Sequence, residues 1–382
     1  MTNAPEHHAT STRSKRRMVV FLAAASIAVA CGVRFTSAGA LLWGLALLLM
    51  AAAATRKRTP SGMTAAALIL LGLSFADWLT PILFKPGESS FDRIYADGYS
   101  ANVSDIGAQP NPGTYPSSAR ASDGRLLYEI HYTIGPDQLR VTPDNPPGPH
   151  RVNFLGCSFT YGEGVNDNET LPYFVSRTMQ DVHVVNFGFH AYGAHNTLAI
   201  LESSRDTGGE VNFFLGAGFH IERSACHPDW TANAPRYELQ GDGSVTRNGK
   251  CGDTRGPLDQ LKKTAIRYSN IVAAADRFSR THIGDEDVRL YIAILRRAAE
   301  LTHARGQKFV IGYITGSEPR LASTSYTDES IMAAFKTFAD DVFDARLPRD
   351  SRNAIPLDGH PTAFANQKRA VMVAEHLRRF MP

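Results

Sequence analysis

The run Val152-Asn-Phe-Leu-Gly-Cys-Ser-Phe-Thr-Tyr-Gly-Glu-Gly164 opens with four residues suited to a buried strand and then breaks on Gly156. A serine directly after a strand, flanked by Gly156 and followed by Gly162 and Gly164, predicts a tight strand-to-helix turn. Such a turn exposes the Ser158 hydroxyl and aims backbone N–H groups at the same point, as an activated nucleophile beside an oxyanion site requires. From this run alone two other roles stay open: a serine that caps the next helix, and a glycine loop that cradles phosphate.

Working outward, strand and helix signals alternate. Thr170–Met179 has helical spacing, with Asp167 or Asn168 available as its cap. Val182–Phe187 reads as a strand, His195–Ser204 as a helix and Val211–Leu215 as a strand. Asp285–Ala304 is an amphipathic helix stopped at Gly306, Lys308–Tyr313 a strand, Ile331–Phe343 a helix and Ala363–Phe380 a last helix. This alternation predicts an α/β fold with a parallel sheet covered on both faces. Ligands in such sheets bind beyond the carboxyl ends of the strands, so the loops there are where chemistry is expected. At the far end, Leu357-Asp-Gly-His-Pro-Thr-Ala precedes the last helix. Asp358 and His360 share that loop, and a doubly wound sheet can bring it to the rim that holds Ser158. A nucleophile, a base and an orienting carboxylate are then all available.

Three blocks carry a resemblance to a known family. Phe154-Leu-Gly-Cys-Ser-Phe-Thr-Tyr-Gly-Glu-Gly-Val resembles the first block of the SGNH/GDSL esterase and acylhydrolase superfamily. Asn186-Phe-Gly-Phe-His-Ala-Tyr-Gly looks like its second block and Asp358-Gly-His-Pro like its last. The resemblance spans about residues 150–380 and implies a three-layer α/β/α sandwich around a parallel, flavodoxin-like sheet. It implies Ser158 as nucleophile, His360 as general base and Asp358 as its partner. The oxyanion donors it implies are the Ser158 backbone N–H and the N–H of Ala191, which stands where the family usually has glycine. The family's third block supplies an asparagine, whereas this chain reads Gly216-Ala-Gly-Phe-His-Ile-Glu-Arg, so His220 is the nearest polar replacement. Cys157 replaces the usual aspartate before the serine, and Asp-Gly-His is one residue shorter than the common Asp-x-x-His. The implied mechanism needs no cofactor and no metal. His7-His8 and Cys226-His227 do not supply clustered metal ligands, and His190 and His195 flank the cleft as substrate-contacting or structural residues.

The N-terminal part has a different character. Met18–Val33 and Ala38–Ala54 carry no charge, and Met63–Phe84 carries Asp77 alone, placed near its outer end beside Trp78. These runs predict an anchor of about three transmembrane helices over residues 18–84, the first two as a hairpin around Arg34. Arg13, Lys15, Arg16 and Arg17 in the basic tail (1–17), with Arg56, Lys57 and Arg58, put the N-terminus and the 55–61 loop in the cytoplasm. Everything after about residue 85 is then periplasmic or otherwise extracytoplasmic. A cleaved signal peptide is the other reading of the first run. Residues 85–149 are rich in Pro, Gly, Asn and Ser and read as a spacer, with a β appendage around Leu126–Val141. Residues 150–382 form the catalytic domain, with an insertion at about 218–284.

The chain of 382 residues has 43% apolar and 20% charged residues, which excludes wholesale disorder. Its net charge of +3 gives no basic excess that would mark a nucleic-acid binder. Of four cysteines, Cys31 lies in the first apolar run and Cys157 beside the serine. Cys226 and Cys251 fall in the insertion, and an exported compartment predicts a disulfide between them. The function expected is a membrane-tethered esterase acting on an ester-bearing small molecule, lipid or acetylated glycan of the cell envelope. Two alternatives stay open. One is an O-acyltransferase fed by a membrane acyltransferase partner. The other is a non-catalytic carbohydrate-binding or assembly protein on a degenerate site.

Overall fold

The computed structural model describes residues 7–34, 37–54, 61–84, 91–254, 257–281, 283–314, 318–348 and 350–381. The 55–60 part of the basic loop and the side chains of the basic tail and of Arg34 lie outside what is described. The chain divides into two compact units, residues 1–88 with 255–279, and residues 89–254 with 280–382.

The first unit holds the helices His7–Arg34, Ala38–Ala54 and Ser61–Leu83, joined by Pro257–Tyr268 and most of Asn270–Thr281. Small residues let the first two helices approach closely. Ala25 and Ala46 are buried, and a Cβ on Gly44 would stand 2.7 Å from Val29 Cγ2. Among the described residues, only Ala65–Leu83 (19 residues) is long and apolar enough to cross a membrane, while Met18–Val33 and Ala38–Ala52 are shorter apolar helical stretches. Asp77 is buried and caps a helix. Its Oδ1 accepts from Ser269 Oγ at 2.6 Å and from the Ile271 backbone N–H at 3.1 Å, at the end where a helix favours a carboxylate.

The second unit carries twelve strands among the described residues. They are β1 (Phe91–Tyr95), β2 (Ser100–Ser104), β3 (Gly107–Pro110), β4 (Gly113–Ala121), β5 (Leu126–Ile134) and β6 (His150–Leu155). The rest are β7 (Val182–Asn186), β8 (Val211–Gly216), β9 (Pro235–Leu239), β10 (Val245–Lys250), β11 (Lys308–Tyr313) and β12 (Asp341–Asp344). The central sheet has the order β12-β11-β8-β6-β7, and every pairing in it is parallel. Counted along the chain this is order 2-1-3-4-5, a doubly wound arrangement whose direction reverses between β6 and β8.

Both faces of the sheet are apolar, because neighbouring strand residues point to opposite sides. Phe154, Phe213 and Val310 pack with the Leu171–Thr178 and Ala363–Leu377 helices. Leu155, Phe214 and Ile311 pack with the Ala194–Glu202 and Asp285–Ala304 helices. The result is three layers.

Two elements depart from the sequence expectation. Ile331–Phe343 is not one helix: the helix is Asp328–Phe335, and Asp341–Asp344 is the edge strand β12. Four residues carry too little pattern to separate an edge strand from the amphipathic helix before it. Residues 91–134 form β1–β5, with β4 central in an antiparallel β1-β4-β5 sheet. Tyr99, Ile130 and Tyr132 lie in the same core as Leu155 and Phe214. The prolines misled because they sit where no ladder bond is asked of them. Pro110 ends its strand, and Pro116 lies just beyond the last β1–β4 pair, Tyr95 with Ser117.

Residues 218–284 are divided as well. The β9–β10 hairpin belongs to the second unit, and residues 255–279 belong to the first. Cys226 and Cys251 are joined by a disulfide, with Cα atoms 5.3 Å apart.

Candidate active site

The site begins at the carboxyl end of β6, beside the point where the strand order reverses. Gly156 has φ 148, and a Cβ there would collide with Thr160 Oγ1. Only glycine lets the chain turn here. Residues Ser158–Tyr161 make a single helical turn, closed by the N–H groups of Gly162 and Glu163 on the Ser158 carbonyl, each at 2.9 Å. As the first residue of that turn, Ser158 keeps a backbone N–H with no partner inside the helix.

His360 Nε2 stands 2.8 Å from Ser158 Oγ. His360 Nδ1 is hydrogen-bonded to Asp358 Oδ1, which also accepts the His360 backbone N–H at 3.1 Å. With Nδ1–H donated to the carboxylate, Nε2 is the bare nitrogen that accepts from the serine hydroxyl. The short Asp-Gly-His spacing works because the loop is coiled. Leu357 has φ 66 and Gly359 has φ 82, and the Ile355 N–H donates to the His360 carbonyl at 2.8 Å. Both side chains thus turn to one side. Ser158, His360 and Asp358 form one connected chain of hydrogen bonds, and the Asp358 side chain is fully buried.

Three residues that the sequence reading passed over complete the surroundings. Arg93 of β1 donates from Nε to Asp358 Oδ2 at 3.0 Å, and its Nη2 lies 3.2 Å from His360 Nδ1. Burial works to raise the Asp358 carboxyl, but the hydrogen bond and charge of His360, with the Arg93 guanidinium, hold it below the usual range. Glu163, between Gly162 (φ 88) and Gly164 (φ 77), is buried and accepts from three phenols. Tyr95, Tyr132 and Tyr128 donate at 3.0, 3.1 and 3.3 Å. Burial opposes its ionisation, yet contact with His190, then the charges of His360 and Arg93, keep it well below the ordinary carboxylate value. Arg140 holds the loop from behind. It donates to the carbonyls of Tyr161, Gly162 and Val165 and to Asp167 Oδ1 at 2.9 Å. Gly-Glu-Gly was the one visible signal for Glu163. Nothing local marks Arg93 or Arg140, because β1 and the chain after β5 meet the site only in the folded state.

The second loop lies against the first. Asn186 Nδ2 donates to the Thr160 carbonyl at 3.2 Å, and a Cβ on Gly188 would stand 2.6 Å from the Tyr161 nitrogen. Ala191 occupies the left-handed region at φ 65, where a side chain costs about 1 kcal/mol relative to glycine. His190 beside it contacts Glu163 and the Tyr99 hydroxyl. His220 stands apart. It is fully buried beside Phe214, Phe219 and Tyr291, and neither ring nitrogen has a hydrogen-bond partner among the described residues. Burial, with the charges of Arg223 and His195, pushes it far below the usual histidine value. His195 is equally buried, without ring partners, and is pushed down to about 3 by burial and Arg223. Among the described residues no cluster of three His, Cys, Asp or Glu is placed to hold a metal.

No family model and no curated protein sequence matches the chain. Solved structures do. One is a member of the lipolytic protein G-D-S-L family from Veillonella parvula DSM 2008, similar at 12% identity and TM-score 0.34 over 60% of this chain and 98% of that one. Another is an acetyl xylan esterase from the rumen bacterium Butyrivibrio proteoclasticus, at 15% identity and TM-score 0.34 over 61% of this chain and 64% of that one.

Proposed function

We propose that the chain is a serine esterase whose acyl-enzyme forms on Ser158. The observation that carries this is the 2.8 Å contact between Ser158 Oγ and His360 Nε2, in series with Asp358. As Oγ attacks the ester carbonyl, its proton passes to Nε2, and the imidazolium is stabilised by Asp358. The oxyanion falls to the N–H groups of Ser158 and Ala191. The tetrahedral intermediate collapses, the alcohol leaves with the proton from His360, and the acyl group stays on Oγ. A water molecule then attacks with His360 as base, and the acid is released. Arg93 fixes the carboxylate that fixes the base, and His220 takes no part in this sequence because its ring is sealed in the core.

The protein is further proposed to be tethered to a membrane by its N-terminal helices, with its C-terminal part extracytoplasmic. The apolar helices and the basic residues on either side of the first pair support this. Its substrates are then ester-bearing lipids or acylated glycans of the envelope.

A fluorophosphonate probe tests the chemistry. Folded protein should be labelled at Ser158, and labelling should vanish in Ser158→Ala and fall steeply in His360→Ala. Unlabelled wild-type protein rules the esterase out.

A further inference from the structure

Next to the Ser158–His360 pair lies a cavity of about 800 Å³. Phe159 joins the two, since it follows Ser158, packs tilted against the His360 ring with centroids 5.1 Å apart and lines the cavity. Gly359, between the two other members of the hydrogen-bonded chain, lines it as well. Most of the wall is apolar, with Phe219, Ile314 and Ile355 contributing. The cavity thus adjoins the Ser158–His360 pair through Phe159 and Gly359.

One residue does not suit such a wall. Arg369, on the Ala363–Leu377 helix, is buried at 6% exposure and lines the cavity. Its Nε donates to the Ala345 carbonyl at 3.1 Å, and its Nη1 has no hydrogen-bond partner. No ion pair with a carboxylate is found for it among the described residues, and burial alone pulls the guanidinium down to about 10. A buried charge without a partner is among the most costly features a fold can carry.

The other charged groups of the cavity have ion-pair or hydrogen-bond partners. Arg346 pairs with Asp344 at 2.6 Å. Asp350 Oδ1 accepts from the Arg352 and Asn353 backbone N–H groups and from Asn353 Nδ2, each at 3.0 Å. Asn353 itself leaves a second orphan in the same wall, the buried acceptor Oδ1. The cavity thus offers a guanidinium with no carboxylate partner among the described residues and one unused acceptor in a largely apolar wall, which also holds the hydrogen-bonded Asp350 carboxylate.

We propose that this cavity binds the carboxylate of an acidic ester substrate, with Arg369 pairing the carboxylate, Asn353 Oδ1 accepting from a neighbouring hydroxyl, and Phe159 and Phe219 holding the body. A single guanidinium balances a monoanion, and its planar fork matches carboxylate geometry. The proposal rests on the esterase reading for its link to Ser158, so the test separates the two.

The full-length protein is assayed for acetyl hydrolysis on 4-acetoxybenzoate and on its neutral methyl ester. Wild type should prefer the carboxylate in kcat/KM by about tenfold, the worth of one charge-assisted hydrogen bond. In Arg369→Met that preference should fall to about one, with Arg369→Lys between. Equal rates on the two esters in wild type, or an unchanged preference in Arg369→Met, overturn the proposal.

Binding is read separately in Ser158→Ala. Its melting temperature should rise by about 2 °C with 4-acetoxybenzoate at tenfold its dissociation constant. At the same concentration the rise should stay under about 1 °C with the methyl ester and in Ser158→Ala/Arg369→Met. A missing rise overturns the pocket even if the enzyme is active, whereas a rise without turnover of any ester supports the pocket and removes the esterase. Arg369→Met should melt within a few degrees of wild type, because removing a buried charge offsets the lost hydrogen bond to the Ala345 carbonyl. A fall of more than about 5 °C marks a structural arginine and counts against the proposal.

Discussion

Both oxygens of Asp358 are occupied, one by the His360 ring and one by Arg93. A carboxylate held at both ends cannot rotate, and the imidazole it orients inherits that restraint. Arg93→Gln should therefore lower kcat by about tenfold with little change in KM, in line with the loss of one charged hydrogen bond. Arg93→Lys should restore part of it. Asp358→Asn should cost more, ~10³-fold or beyond, because it also disturbs the imidazole tautomer. Steady-state kinetics on a phenyl ester decide both, and a wild-type kcat in Arg93→Gln would make the contact incidental.

At the same scale, His195 and His220 are buried and neutral, with folded values depressed below the unfolded one by burial and then by Arg223. The unfolded chain binds the proton first as pH falls, so stability is full above about 6.5 and is lost below it. Each ring contributes a slope approaching about 1.4 kcal/mol per pH unit, for His195 down to a pH of about 3. Urea melts between pH 7 and 5 should show the fall, and His195→Phe should flatten it. Identical slopes in the two proteins would mean that His195 is not buried neutral.

Among the elements, the β9–β10 hairpin has little support of its own. It is a two-stranded sheet with a bulge between Arg247 and Lys250, and its outer strand is largely exposed. Two strands alone are marginal in water. The Cys226–Cys251 bond closes 25 residues around it, which in the chain-entropy account is worth roughly 3–4 kcal/mol. Replacing both cysteines by serine should lower stability by about that amount in denaturant melts and make the hairpin the first site of proteolysis. An unchanged midpoint, or free thiols at both positions in the native protein, would show that the hairpin stands without its staple.

For the molecule as a whole, compartment is the question. Basic residues precede the first apolar helix and follow the second, so a reporter fused at Thr59 should be cytoplasmic and one after Pro382 extracytoplasmic. A C-terminal reporter active in the cytoplasm would overturn the orientation and remove the oxidising compartment that the disulfide calls for.

The sequence by itself determined the order of the main strands and helices. Buried parallel strands and amphipathic helices write their periods into consecutive residues, as in Lys308–Tyr313 and Asp285–Ala304. It also singled out Ser158, Asp358 and His360, because a glycine-bounded serine and an Asp-Gly-His loop are local patterns. It could not see β1, β4 or β12, where prolines or brevity hide the alternation. Only the tertiary structure decided that Arg93 grips Asp358 across 265 residues of chain, that His220 is sealed in the core, and that Arg369 lies unpaired in the cavity wall. Partners of this kind are chosen by how the layers close on one another, and no spacing along the chain records that.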